Sequence, residues 1–451
     1  MSLRRACLVV LACACAVAGL AGCGSGQDGP CGGTHCRVEI IPAHAYALDV
    51  TTAGRVRWRV PLPAPGSGVQ PAPLAVGAVA VFAQGDVLYG LRLAGGHRLW
   101  SWAVGQPIAG MWRWQNLVVV LTQAGGSGLA PPVLAGLDAA TGQPRWTLPL
   151  GGDVHGLSLT ADGGLAMVIA RGDGVLEVAD LSSGRVRWAL PAGSTAVPPV
   201  AVGGGAVLFA ADDQLTSYDD RTGRVRWTEA LSALLGADDV VWQASAGLVY
   251  LTGEARQDVG GQSAQMLLGV SAADGRVQWR VVFQFANTSP PASLDPYAPG
   301  LMSFTTSAYS GGTSQDELDP ATGRVRWHAV SPYPAMATPV GIATAPSPDQ
   351  ITMRDTLTGQ ARWTAGLAGG WRPLAAGPPT VSQAMPVFPA GPLLVVPAAG
   401  PDGSDQLAAF RMSDGHRTWQ VTIPGPVEAP PSAVPGGMLI YSVVPGGVIA
   451  P

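Results

Sequence analysis

The sequence predicts an all-β protein, a ring of four-stranded antiparallel blades, on three observations. A Gly followed four residues later by Trp occurs nine times: Gly54/Trp58, Gly96/Trp100, Gly142/Trp146, Gly184/Trp188, Gly223/Trp227, Gly275/Trp279, Gly323/Trp327, Gly359/Trp363 and Gly415/Trp419. Successive copies are spaced 36 to 56 residues apart, with a mean near 45. Gly and Pro, 61 and 40 of 451 residues, interrupt the chain too often for the helices that a helical repeat of this period would need. Four short strands per ~45 residues is the signature of a β-propeller blade.

Each part of the repeat has a physical task. The wider pattern is apolar-x-apolar-Asp-x-x-(Thr/Ser)-Gly-x-x-x-Trp, and its apolar alternation is strand-like. Asp stands four residues before the Gly in five copies, as Asp138, Asp180, Asp219, Asp319 and Asp355. There its carboxylate can accept backbone N–H groups and close a turn. The other copies hold Val50, Arg92, Ser271 and Arg411 at that position. The Gly suits the left-handed position that such hairpin loops require. Beyond it, Arg-Val-Arg-Trp at 55–58, 185–188, 224–227 and 324–327 alternates again. This predicts Val56 and Trp58 on one face and Arg55 and Arg57 on the other. Upstream of most hairpins lies another strand pair, as at 199–202 and 206–210 around a Gly-Gly-Gly turn.

The core A-x-D-x-x-T-G-x-x-x-W resembles the PQQ-type propeller repeat, named for pyrroloquinoline quinone, and the resemblance runs from Arg37 to the C-terminus. It implies that Trp58, Trp100, Trp146, Trp188, Trp227, Trp279, Trp327, Trp363 and Trp419 each dock against an adjoining blade as structural residues. The family usually has eight blades. The first hairpin, at 45–60, has no room for two strands before it, whereas 431–434 and 438–443 read as two spare strands at the other end. N- and C-terminal strands together would close the ring and remove an exposed sheet edge. The 36-residue spacing before Trp363 is short for four strands, so about eight blades are expected, with nine possible.

The first residues read as an address. Arg4 and Arg5 precede a 15-residue apolar stretch at 6–20, and Leu20-Ala21-Gly22-Cys23 resembles the lipobox of bacterial lipoproteins. That resemblance implies a signal peptide at 1–22, lipidation of Cys23 and attachment to membrane lipid. Residues 24–36 form a Gly-rich tether of about thirteen residues with a reach of roughly 20 Å, which leaves 37–451 as a single propeller domain. Cys7, Cys13 and Cys15 depart with the signal peptide. Cys31 and Cys36 then remain as thiols outside the cytoplasm, where a local disulfide is expected. A metal site using Cys31, His35 and Cys36 lacks a fourth ligand and the usual spacing.

Composition narrows the function. Formal net charge is −4, and all 26 basic residues are Arg without a basic run, which argues against a nucleic-acid partner. Without Lys there is no phosphate-binding Gly-x-x-x-x-Gly-Lys loop. The histidines are scattered, and no His-x-x-x-His or Gly-x-Ser-x-Gly motif occurs. The resemblance to quinoprotein dehydrogenases implies a PQQ site with a vicinal Cys pair and amide ligands. Here no Cys follows position 36, and Asn116 and Asn287 are the only asparagines. The acidic pairs Asp212-Asp213, Asp219-Asp220 and Asp238-Asp239 read as solvated turn carboxylates, with weak Ca²⁺ ligation as the sharper alternative. Trp102, Trp112, Trp114, Trp242 and Trp371 lie outside the docking position, and aromatic residues beside Arg113 suit either an interface or a core. Loops at 253–265, 287–299 and 309–315 are further candidates for binding.

No catalytic, cofactor or metal residue is therefore assigned. The expected protein is a non-catalytic, membrane-anchored, extracytoplasmic lipoprotein, a monomer that binds or scaffolds other exported or membrane proteins. Absent Lys and rare Asn suit a GC-rich bacterium and the outer face of its cytoplasmic membrane. One alternative is a barrel-assembly-type lipoprotein on the periplasmic side of an outer membrane. The other is a PQQ-dependent dehydrogenase.

Overall fold

The computed structural model describes residues 39–41, 44–63, 71–123, 131–151, 154–159, 166–171, 175–191, 200–202, 205–234, 241–245, 247–254, 264–284, 294–295, 302–307, 313–331, 336–371, 388–400, 404–427, 429, 431–444 and 447–449. The chain divides into two units. One comprises Met1–Pro42 with Gly446–Pro451, and its described part is a two-stranded antiparallel ladder of Glu39–Ile41 with Gly447–Ile449. The other, Ala43–Pro445, holds the repeats.

Among the described residues the repeats fold into nine four-stranded antiparallel sheets. Blade 1 shows the plan: Leu74–Val76, Val79–Gln84, Val87–Arg92 and Arg98–Ala103, each strand pairing with the next. Blades 2 to 8 follow in chain order. The second strand is buried at every residue in blades 1, 2 and 8. Its sequence is accordingly a continuous apolar run such as Leu-Val-Val-Val-Leu, because both of its faces are covered by neighbouring blades. The core consists of slabs between blades: Val81, Leu88 and Trp100 of blade 1 pack with Val118, Val120 and Leu137 of blade 2. Blades 7 and 8 share another such slab.

The ninth sheet is composite. His44–Thr51 pairs with Gly437–Val444 over eight residue pairs, with Val56–Leu62 outside it and Ser432–Val434 inside. The expectation of about eight blades is thus corrected to nine. Blade 7, behind the short spacing, still has four strands (Met336–Thr338, Gly341–Ser347, Gln350–Arg354 and Ala361–Gly366), because the shortening falls in the connection between blades: four residues separate Ser331 from Met336, against eleven between Leu62 and Leu74.

The predicted alternation after the Gly is also corrected. In all nine blades the third and fourth strands shift register at one point, as where Trp58 pairs with Asp49 but Val56 pairs with Val50. Arg57 is the extra residue of this bulge. Because Asp49 and Val50 point to opposite faces, so do Trp58 and Val56. Val56 is 39% exposed, whereas Trp58 is buried.

Candidate functional site

The nine repeat tryptophans occupy one equivalent position. Each indole Nε1 donates to a backbone carbonyl of the next blade: Trp58 to Leu93, Trp100 to Ala139, Trp146 to Leu181, Trp188 to Asp220 and Trp227 to Ala272. Trp279, Trp327 and Trp363 donate to Pro320, Thr356 and Met412. Trp419 then donates to Thr52 at 2.7 Å, which joins blade 8 to the composite blade and completes the circuit. Each ring also lies against the repeat Gly of that neighbour. A Cβ on Gly142 would fall 2.4 Å from Trp100, and one on Gly54 would fall 2.5 Å from Trp419. The Gly therefore serves two needs, since its φ is positive in every copy and its bare Cα admits the indole.

The repeat Asp closes the same turn. Asp138 Oδ1 accepts from the backbone N–H groups of Ala140 and Thr141, and Oδ2 meets Arg145 at 2.5 Å. The bulged Arg contacts the Asp likewise in Asp180–Arg187, Asp219–Arg226, Asp319–Arg326 and Asp355–Arg362. Arg226, then Thr222, holds the Asp219 carboxyl down from 3.8 to about 2. Arg145 lowers Asp138 and Arg362 lowers Asp355 in the same way. A folded-state value below the unfolded one stabilises the fold above about pH 4, and that contribution disappears as pH falls towards 2. The melting temperature is expected to drop across this window, and the drop should be smaller in Asp219→Asn. Thermal melts of both proteins at stepped pH check this.

The acidic pairs are drawn into local structure where they are described. Asp213 caps a short helix, α1 (Leu231–Leu234), by accepting from the Ser232 N–H at 2.6 Å. Asp219 belongs to the turn above, and the backbone carbonyl of Asp220 receives Trp188. Asp238 and Asp239 lie outside the described residues, as do Cys23, Cys31, His35 and Cys36.

The remaining tryptophans do not converge. Trp102 is in the fourth strand of blade 1 and packs on the slab shared with blade 2. Trp112 and Trp114 are in the first strand of blade 2, against the slab shared with blade 3. Trp371 packs with blades 7 and 8, and Trp242 lies in the first strand of blade 5. Of the candidate loops, only the edges at 253–254, 264–265, 294–295 and 313–315 are described.

What the sequence reading missed is the seam where the chain ends meet. Asp49, wholly buried, faces Arg57, whose Nε lies 3.0 Å away and whose Nη2 donates at 3.1 Å. Burial outweighs Arg57 and raises the Asp49 carboxyl above its ordinary value. Two cavities flank the outer strand Val56–Leu62. One, of 340 Å³, is lined by Leu48, Val56, Arg59, Thr422, Ile423 and Pro424. The other, of 230 Å³, lies between Val60, Pro61, Leu62 and Pro63 of the composite blade and Tyr89, Leu91 and Arg98 of blade 1. Arg59 stacks over Tyr46, 5.3 Å from the ring centre. The signal for this seam was the pair of departures from Asp, Arg92 and Arg411, on the blades either side of it.

Fold and docking geometry define the class: a β-propeller built from blades that lock through a repeated Trp-to-carbonyl contact. A profile of the family described as outer membrane protein assembly factor BamB matches residues 114–200 and 192–346, more than half of the chain, and the chain belongs to that family. Among solved structures, BamB from Moraxella catarrhalis aligns at 15% identity over 82% of this chain and 96% of its own, with a TM-score of 0.42. The quinohemoprotein alcohol dehydrogenase ADHIIG from Pseudomonas putida HK5 aligns at 14% identity over 91% and 72%, with a TM-score of 0.42. A eukaryotic initiation factor aligns at 11% identity over 88% and 98%, with a TM-score of 0.51, a likeness of fold alone. No curated protein sequence matches the chain.

Proposed function

We propose that this protein is a non-catalytic scaffold, a monomeric propeller lipoprotein that holds other exported or membrane proteins at a membrane surface. The observation that carries this reading is how the repeat residues are employed. The nine docking tryptophans, their glycines and the Asp–Arg brackets all act in locking blades and closing turns. A rigid ring of this kind presents loops and sheet edges for binding. Membership of the BamB family supports a protein partner over a small substrate. The anchor rests on the sequence of 1–23, with Cys23 as its attachment point and the outer face of the cytoplasmic membrane as its site.

Cross-linking in cells followed by purification of the full chain tests the scaffold, with reproducible capture of a membrane or exported protein as the expected result. Retention of the protein in the detergent phase after Cys23→Ala would contradict the lipid anchor. A second reading, attachment to the outer-membrane assembly machinery, is favoured by the family description itself. Co-purification with a β-barrel assembly complex would establish it. The dehydrogenase alternative requires dye reduction by protein supplied with PQQ and Ca²⁺, and no such activity is expected.

A further inference from the structure

Five blades carry an Asp four residues before the repeat Gly, but blades 8 and 1 carry Arg411 and Arg92 there, and the composite blade between them carries Val50. A second position changes in step. The residue two after the Gly is Val in five blades, yet it is Arg417 in blade 8 and Arg98 in blade 1. The bulged Arg, partner of the missing Asp, is replaced in these two blades by Thr418 and Leu99. The composite blade adds Arg55, Arg57 and Arg59. Seven guanidinium groups thus gather on three consecutive blades of a chain whose formal charge is −4.

Among the described residues, nearby acids offset little of this charge. Asp49 pairs with Arg57, and Asp414 pairs with Arg411 at 2.6 Å. Asp86 and Asp405 stand at the far ends of strands that finish at Arg92 and Arg411. Arg55, Arg59, Arg92, Arg98 and Arg417 are exposed and make no ion pair among the described residues. Two of them, Arg59 and Arg98, sit in the apolar cavities on either side of Val56–Leu62. An arginine at the mouth of an apolar cleft selects a ligand that alternates carboxylate with apolar side chains.

The geometry points to this seam as the docking surface for an acidic, extended segment of a partner protein, laid along Val56–Leu62 with carboxylates at Arg59 and Arg98. A bilayer of anionic lipid shares the charge but not the fit, since a headgroup layer has no apolar side chain for either cavity. The inference rests on the protein-binding reading and specifies where that binding occurs.

The test uses the purified full chain and a labelled peptide alternating Glu with Leu, followed by fluorescence anisotropy. Binding is expected to weaken with added salt. It should also weaken by about tenfold in the double variant Arg59→Glu, Arg98→Glu, whose melting temperature changes little because both side chains are exposed and only the stack of Arg59 on Tyr46 is lost. Arg185→Glu with Arg324→Glu, on blades 3 and 6, is the control and should leave binding intact. Absence of peptide binding, or equal weakening in the control, overturns the proposal. So does binding of phosphatidylglycerol vesicles in place of the peptide, which would assign the surface to lipid. If a partner cross-linked in cells remains attached to the seam variant, the scaffold reading stands and this docking surface falls.

Discussion

Gly142→Ala is expected to cost about 4 kcal/mol of unfolding stability, and Gly77→Ala only about 1 kcal/mol. Both glycines have positive φ, +70° and +58°, so both substitutions impose the left-handed backbone cost on an L-residue. They differ in what the new methyl meets. At Gly77 nothing lies within 4 Å, whereas at Gly142 the Cβ would fall 2.4 Å from Cδ2 and 2.6 Å from Cε3 of Trp100. Relief requires the indole to move. Movement breaks its bond to the Ala139 carbonyl and opens a slab in which Val118, Val120 and Leu137 are closed to solvent. Much of the roughly 3–5 kcal/mol associated with losing a buried Trp is then forfeited. Urea denaturation of the two variants checks the difference. A cycle with Trp100→Ala isolates its cause, because the excess at Gly142 should vanish once the indole is gone. Equal losses at the two glycines would mean that backbone conformation alone, and not docking, selects Gly at this position.

Deleting residues 431–451 is expected to abolish the cooperative fold although eight blades remain encoded. The deletion removes Ser432–Val434 and Gly437–Val444, the two inner strands of the composite blade. His44–Thr51 then loses all eight of its partners on that side. Met438, Leu439, Ile440 and Tyr441, at most 2% exposed, pack against blade 1 on one side and blade 8 on the other. Burying four such side chains contributes about 10 kcal/mol, comparable to the entire stability of an ordinary domain. What remains is an open ring with a bare, apolar sheet edge, which favours association between chains. Size-exclusion chromatography and urea denaturation should show aggregates without a sharp transition. Co-expression of the 431–451 fragment should restore a monomeric peak. A soluble truncated protein that unfolds cooperatively would show that eight blades close without the ninth.

Much of this architecture was legible because it is local and repeated. The turn needs Gly at a left-handed position, the strand before it needs alternating apolar residues, and the Trp spacing repeats the blade. Those requirements act within a dozen residues and are written nine times, so Gly54 and Gly415 announce the same hairpin. The composite blade was legible as well, since a hairpin at the start and a strand pair at the end are complementary fragments. The bulge was not. A register shift follows from how the third and fourth strands twist past each other, and no residue in Arg-Val-Arg-Trp marks which position is extra. Blade number escaped for a related reason, because the short spacing before Trp363 reflects a shortened connection between blades and not a missing strand.

The candidate surface divides in the same way. Arg92, Arg98, Arg411 and Arg417 are visible as departures from the repeat, but the first pair and the second are more than 300 residues apart in the chain. The sequence alone determined the blade unit and its repeated Gly-to-Trp hairpin, which depend on short-range chemistry, and it supplied at its two ends complementary strands for one more blade. Only the tertiary structure decided that there are nine blades and that Val56 and Trp58 face opposite ways. It alone placed blades 8 and 1 on either side of one strand, so that two distant pairs of arginines share a surface. That placement follows from ring closure, a long-range constraint set by the total number of blades and carried by no single repeat.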